Sequence, residues 1–235
     1  MNLWDKKAKS YARYNQKLNS IQEQSFKELE KLNISFKDKN IIDIGCGTGV
    51  WTLYLAQNAK ETTALDNAKA MLEILKEDAN KLQLTNIKYE NCTFTEWINK
   101  NQNAQFDIAF LSMSPALQDK KDYLNFMRLA KIRIYLGWAY RKSDFLDPIF
   151  KHFNTEFKGI YKQDLESYLL ENNVKFHKFI FDETRIVKRK KDEAIENALW
   201  HLNMNGVKAS KQDLETFVKG DIKETIQSKI KLLVF

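Results

Sequence analysis

The spacing of apolar residues changes twice along this chain. Over residues 4–32 they recur at helical intervals, with Phe26, Leu29 and Leu32 on one face, which predicts a helical lead-in spanning 1–36. From residue 41 short apolar runs alternate with helical stripes. "IIDI" reads as a first strand, and Val50, Leu53, Tyr54 and Ala56 as the inner face of the helix after it. "TTALD" is a second strand closing on Asp66, followed by a helix striped by Ala68, Met71, Leu72, Leu75, Ala79 and Leu82. "NIKYENC", "FDIAFLSMS" and "KIRIYLGW" supply three further strands. Between the last two a helix is predicted to start at Pro115 and to turn Tyr123, Leu124 and Met127 towards the sheet.

Strands that alternate with helices from residue 41 to about 153 predict an α/β fold, a doubly wound and mostly parallel sheet with helices on both faces. The tail has a different rhythm. "VKFHKFIFDETRIV" and "TIQSKIKLLVF" read as long strands, separated by the basic run "KRKK" and two helices. Ile195, Ala198, Leu199 and Leu202 stripe the first of these, and Ser210 with Asp213 opens the second as a capping box. No Pro-, Gly- or Ser-rich linker divides the chain. We therefore expect one domain over 1–235, with a core at 37–187, a helical cap inserted at 188–222 and a final strand at 223–235.

Composition narrows the setting. Two cysteines do not make a disulfide framework, and with three histidines they show no metal-ligand spacing, so no metal is expected and a reduced, cytoplasmic setting is the default. The opening "MNLWDKKAKS" lacks the apolar core of a signal peptide, and no run is long enough to span a membrane. A net charge of +7 is compatible with an anionic small molecule or nucleic acid, and equally with a solvated lysine-rich surface.

Three of the seven glycines fall in one stretch, Gly45, Gly47 and Gly49 of "IIDIGCGTGV", at the carboxyl end of the first strand. In a parallel sheet that is where ligands bind, and glycines there let a ligand lie against bare backbone. Asp66, closing the next strand, can accept hydrogen bonds from both hydroxyls of a ribose. A dinucleotide loop wants G-x-G-x-x-G, and Val50 stands where its last glycine would be. The glycines therefore answer to a nucleoside, not necessarily to a phosphate.

"DIGCGTG", "ALDNAKAML" and "FDIAFLSM" together resemble the class I S-adenosylmethionine-dependent methyltransferases. The likeness covers residues 41 to about 140 well, and the N-terminal helix and last two strands more loosely. It implies a Rossmann-like sheet of seven strands, the sixth parallel to the core and the seventh antiparallel. It implies S-adenosylmethionine as cofactor and S-adenosylhomocysteine as product. Gly45, Cys46, Gly47 and Thr48 would hold the methionine portion, and Asp66 with Asn67 the ribose. Met71 joins the cofactor set, Thr93 and Phe94 stand where the family contacts adenine, and Ser112 and Met113 line the transfer site. The family usually has an acid or amide at the adenine position, which this chain lacks. Trp4 and Tyr11, in "WDKKAKSY", are candidates to close over the cofactor.

A methyl group on a sulfonium is already activated, so alignment and water exclusion suffice and the catalytic residues are not legible. The fourth strand ends "SMSPAL", not in the Asn/Asp-Pro-Pro-aromatic motif used for amino groups of bases. Substrate contacts are expected from Trp138, Tyr140 and Arg141 in the loop "GWAYRKSDF", and from Trp200 and His201 in the cap. The expected acceptor is a small molecule, planar or anionic. RNA is the alternative, followed by an NAD-binding oxidoreductase or a non-catalytic cofactor-binding subunit. Oligomeric state is not legible.

Overall fold

The computed structural model describes residues 2–157 and 165–235. Seven strands form one sheet in the order β3-β2-β1-β4-β5-β7-β6. They are β1 (Asn40–Ile44), β2 (Glu61–Leu65), β3 (Ile87–Glu90), β4 (Phe106–Ser112), β5 (Ala130–Ser143), β6 (His177–Arg189) and β7 (Ile222–Val234). β1 pairs in parallel with β2 and β4, β2 with β3, and β4 with β5. Arg133 and Phe235 exchange backbone hydrogen bonds at 2.8 and 3.1 Å, and Asp144 N–H donates to the carbonyl of Thr225. The paired numbers run in opposite senses, so β7 is antiparallel to β5. The side-chain pairs Asp182–Lys229 and Arg189–Glu224 show the same reversal between β6 and β7. Strand order reverses between β1 and β4, which places a ligand crevice beyond their carboxyl ends.

Contacts gather the chain into two compact units. The first takes Met1–Gly137, Gln163–Phe179 and Lys231–Phe235; the second takes Trp138–Lys162 and Ile180–Ile230. Besides residues 188–222, the second unit holds residues 138–157 and the greater part of β6 and β7. Three of the crossings between units, at 137/138, 179/180 and 230/231, fall inside β5, β6 and β7, so no linker composition marks them.

In the first unit both faces of the central strands are covered. Ile42, Ile44, Leu65, Phe94, Ala109 and Leu111 pack in one cluster; Leu53, Ala64, Leu72 and Leu75 pack in another. The stripe on α4 (Lys69–Lys81) buries Met71, Leu72, Leu75 and Ala79. The lead-in departs from the expected long helix. It breaks into α1 (Leu3–Lys7), a 3-10 turn at Ala8–Ser10, an irregular stretch, and α2 (Ser20–Lys31), which a capping box of Asn19 with Gln22 starts afresh. The carbonyls of Ala12 and Asn15 accept from the hydroxyls of Thr48 and Tyr54, tertiary bonds that replace helical ones.

Two further expectations are corrected. Pro115 does not start a helix; α6 (Lys120–Leu129) starts where Asp119 caps the N–H of Asp122. Its inner face is Tyr123, Phe126 and Leu129, while Leu124 is exposed, because Phe126 rather than Leu124 falls on the helical stripe with Tyr123.

In the second unit α7 (Leu146–His152), α9 (Lys191–Met204) and α10 (Lys211–Glu215) share a core of Leu146, Ile149, Phe150, Ala194, Ile195, Ala198, Leu202, Leu214 and Val218. Ser210 caps α10 with Asp213 in the reciprocal arrangement read from sequence. The fifth strand does not stop at Trp138. With β7 as a 13-residue partner, β5 continues to Ser143, so Trp138, Tyr140 and Arg141 lie on a strand, not in the expected loop.

Candidate functional site

The glycine loop follows β1 directly. Gly45, Gly47 and Gly49 have φ of +69°, +54° and +82°, the left-handed region that strains any residue with a Cβ. Space adds a second requirement at two of them. A Cβ on Gly45 would lie 1.8 Å from Ser114 Oγ, and one on Gly49 2.1 Å from Leu75 Cδ1. Gly47 differs, since its only close neighbour would be the Tyr11 ring at 3.9 Å. Two of the glycines therefore leave no room for a side chain, and Gly47, half-buried, is the one with space beside its backbone.

Asp66 ties the loop to β2. Its Oδ2 accepts from Gly47 N–H and its Oδ1 from Ala68 N–H, both at 2.8 Å. Burial raises its pKa above the ordinary carboxylate value, and those two N–H donors oppose the rise. A carboxylate offers about four acceptor positions, so the side chain that shapes the loop retains capacity for ribose hydroxyls. Asn67 beside it is exposed and accepts from Asn2 Nδ2 at 3.0 Å.

The N-terminal segment lies over this loop. Asp5 Oδ1 accepts from Ala70 N–H at 2.9 Å, at the positive start of α4. Gln22 Nε2 donates to the carbonyl of Val50, and Thr48, fully buried, is held by the carbonyl of Ala12. Trp4 and Tyr11 meet edge to face at 6.2 Å and pack with Ala8 around Met71. The two aromatics thus come together beside Gly47.

Cys46 is buried among Leu53, Leu72 and Leu75, and burial, reinforced by Asp66 and Asp43, pushes its thiol well above the ordinary value. It packs as a small apolar residue and is no thiolate nucleophile. Thr93 caps α5 (Phe94–Lys100), accepting from Glu96 N–H and donating to the Glu96 carboxylate. Phe94 is in the core, 2% exposed. Ser112 ends β4 opposite Leu136, and Met113 next to it has φ +52°. A methionine in that region is uncommon, and such strain clusters where a chain is held for a ligand or reaction.

Two contributors were not singled out from sequence. Ser114 fills the space a side chain at position 45 would need. Asp43, under the loop, accepts from the Thr52 hydroxyl at 2.6 Å, and burial pushes its pKa up to about 7, with Asp66 adding to the rise. The one signal for Asp43 was a charge inside an otherwise apolar strand.

The remaining candidates belong to the second unit. Arg141 lies 5.5 Å from the Trp138 ring centre and 4.3 Å from that of Phe157. Phe157 meets His201 edge to face at 5.4 Å, and His201 meets Trp200 at 4.9 Å. Trp138, Arg141, Trp200 and His201, proposed from separate segments, are thereby joined through Phe157. Tyr140 is exposed.

An open, doubly wound α/β unit with a nucleoside-type glycine loop and an acid closing the second strand defines the class. Residues 41–131 match the family model of a methyltransferase domain. Over that stretch the chain is similar to methyltransferase domains, which supports its likeness to the class I S-adenosylmethionine-dependent methyltransferases. It is 29% identical over 153 residues to an uncharacterized protein of Haemophilus influenzae, covering 61% of this chain and 52% of that protein. It is 33% identical over 75 residues to a Coxiella burnetii ubiquinone biosynthesis O-methyltransferase, covering 32% of this chain and 31% of the relative. The chain thus spans about half or less of the length of these relatives. A putative methyltransferase structure from Bacillus halodurans superposes with a TM-score of 0.54 at 13% identity, over 90% of this chain and 97% of that one. That likeness is one of fold.

Proposed function

We propose that this chain transfers a methyl group from S-adenosylmethionine to a small-molecule acceptor that is planar or anionic. The observation that carries the proposal is the Gly47–Asp66 pair, a backbone turn with space beside it, fixed by a carboxylate that still has acceptor capacity. The residues fit the cofactor. Gly45–Thr48 would take its methionine portion and Asp66 its ribose, with Met71, Trp4 and Tyr11 as the apolar cover. When bound, S-adenosylmethionine supplies a methyl group on a positively charged sulfur, ready for in-line displacement. What the chain itself adds is alignment and exclusion of water, the latter from the Trp4–Tyr11 segment over the loop.

A small molecule is preferred over RNA for a reason of charge. Within "KRKK", Arg189 is bonded to the buried Glu224, and Lys190 reaches Asp221 at 2.7 Å. Two of the four cations thus have internal partners, which weakens the run as a phosphate track. The Coxiella relative, named for a small-molecule pathway, supports the same choice.

The test is incubation with methyl-labelled S-adenosylmethionine and a cell extract separated into metabolites, protein and RNA. Label is expected among the metabolites. Label in RNA would select the alternative acceptor, and no label from a protein that binds S-adenosylhomocysteine would indicate a non-catalytic subunit.

A further inference from the structure

Arg141 is held in a way that asks for a partner. Its Nη1 is buried, and among the described residues no hydrogen bond satisfies it. A guanidinium does not escape this by losing its proton, as a lysine or carboxylate would, because it stays charged under all ordinary conditions. The acids near it are engaged elsewhere. Glu224, fully buried, binds Arg189 and accepts from Ser143 Oγ, while Asp147 accepts from Ser143 N–H at 3.1 Å. Arg185 and Arg189 add positive charge around it, and burial together with these two lowers the Arg141 pKa, against the opposing pull of Glu224 and Asp147. The surroundings are aromatic, Phe157 at 4.3 Å and Trp138 at 5.5 Å, with His201 packed behind Phe157.

We infer that the second unit carries an anion-binding site centred on Arg141, and that its ligand is an aromatic carboxylate. The carboxylate supplies two coplanar oxygens to the guanidinium fork, which is the geometry that fork matches best. The attached ring lies among Trp138 and Phe157, gaining stacking and apolar contact that a bare inorganic anion cannot make. A buried guanidinium N–H without an acceptor is costly to the folded chain, so retaining one at Nη1 of the half-buried Arg141 is explained by a ligand that completes it. The site itself stands on the geometry of the second unit. Only the ligand's role as methyl acceptor rests on the methyltransferase reading.

The experiment uses the full chain and three probes, benzoate, benzamide and inorganic phosphate, followed by ligand-observed NMR titration. Benzoate should bind at least about tenfold more tightly than benzamide, because only the anion uses the guanidinium fork. Arg141→Met should lose that preference and Arg141→Lys should keep part of it, while both retain wild-type affinity for S-adenosylhomocysteine, which reports that they are folded. Equal binding of benzoate and benzamide to the wild type would overturn the site, and that comparison stands even where a variant fails to fold. Undiminished benzoate preference in a folded Arg141→Met would overturn Arg141 as its centre. Phosphate binding more tightly than benzoate would overturn the aromatic class of the ligand. Benzoate binding by a chain that ignores S-adenosylhomocysteine would sink the methyltransferase reading and leave the site intact.

Discussion

The glycine loop of the first unit and the Arg141 cluster of the second are built by opposite means. In the loop, five consecutive positions and one carboxylate set the geometry, and the proposed ligand surface is backbone. In the cluster, side chains from β5, from Phe157 and from α9 meet, and backbone contributes little. The first kind of site tolerates few substitutions, because each glycine is required by a dihedral angle and two are also required by a neighbour. The second kind depends on charge, so its residues can change with less harm to the fold and more to selectivity.

The largest effect that would sharpen this contrast is on a loop glycine. Gly45→Val combines left-handed strain with overlap onto Ser114 and should destabilise the chain by about 3–5 kcal/mol, the sum of strain and overpacking. Gly47→Val brings a Cβ only into ordinary contact with the Tyr11 ring, so it should cost mainly the strain of about 1–3 kcal/mol while abolishing cofactor binding. Urea unfolding and calorimetry separate the two. Equal destabilisation would mean that both glycines serve packing alone.

Asp43 gives the next effect, through pH. Its carboxyl, raised to about 7 by burial, stays protonated in the folded chain where the unfolded chain has already ionised. The unfolded state then binds fewer protons, so this group's contribution to stability falls as pH rises from about 4 through 7. A rise from 3.8 to about 7 corresponds to about 4 kcal/mol. Asp43→Asn should remove that share, so wild type and variant should diverge between pH 4 and 8 in unfolding experiments. Parallel pH curves would show that Asp43 is ionised when folded.

Asp66→Ala should weaken S-adenosylhomocysteine binding by about 1.5–3 kcal/mol, the worth of hydrogen bonds to a charged group. The loss of the Gly47 and Ala68 contacts adds a smaller cost in stability. Unchanged affinity in calorimetry would remove Asp66 from the site.

These contrasts also explain what could be read in advance. The strand–helix alternation, the glycine loop and Asp66 were legible because each is a local pattern, periodic or set by adjacent residues. The extension of β5 to Ser143 was not, because "GWAYRKS" becomes strand only through β7, some 80–100 residues later. The broken lead-in was missed for a related reason, since its carbonyls are taken by Thr48 and Tyr54 from elsewhere in the chain. Leu124 reads as inward from its place beside Tyr123, but it is Phe126, three residues on from Tyr123, that shares the buried stripe. Trp138, Arg141, Trp200 and His201 could be chosen as chemistry, but Phe157, which joins them, carried no signal in its own neighbourhood.

The smallest expected effect lies in the basic run. Lys190 and Lys191 to Glu should leave S-adenosylhomocysteine affinity unchanged, because these side chains lie in the second unit and not on the loop. The pair reversal should raise the Michaelis constant for an anionic acceptor. It also removes the Lys190–Asp221 contact, an exposed bridge of a kind that contributes little to stability. Unaltered acceptor kinetics would confine the run to a solvated surface.

The central claim, that the loop and Asp66 hold S-adenosylmethionine, is tested most directly by calorimetry of the full chain with S-adenosylhomocysteine and, separately, NAD. One site per chain with a dissociation constant on the order of micromolar, about −8 kcal/mol, is predicted for S-adenosylhomocysteine, with no heat from NAD. Heat from NAD and none from S-adenosylhomocysteine would contradict the account.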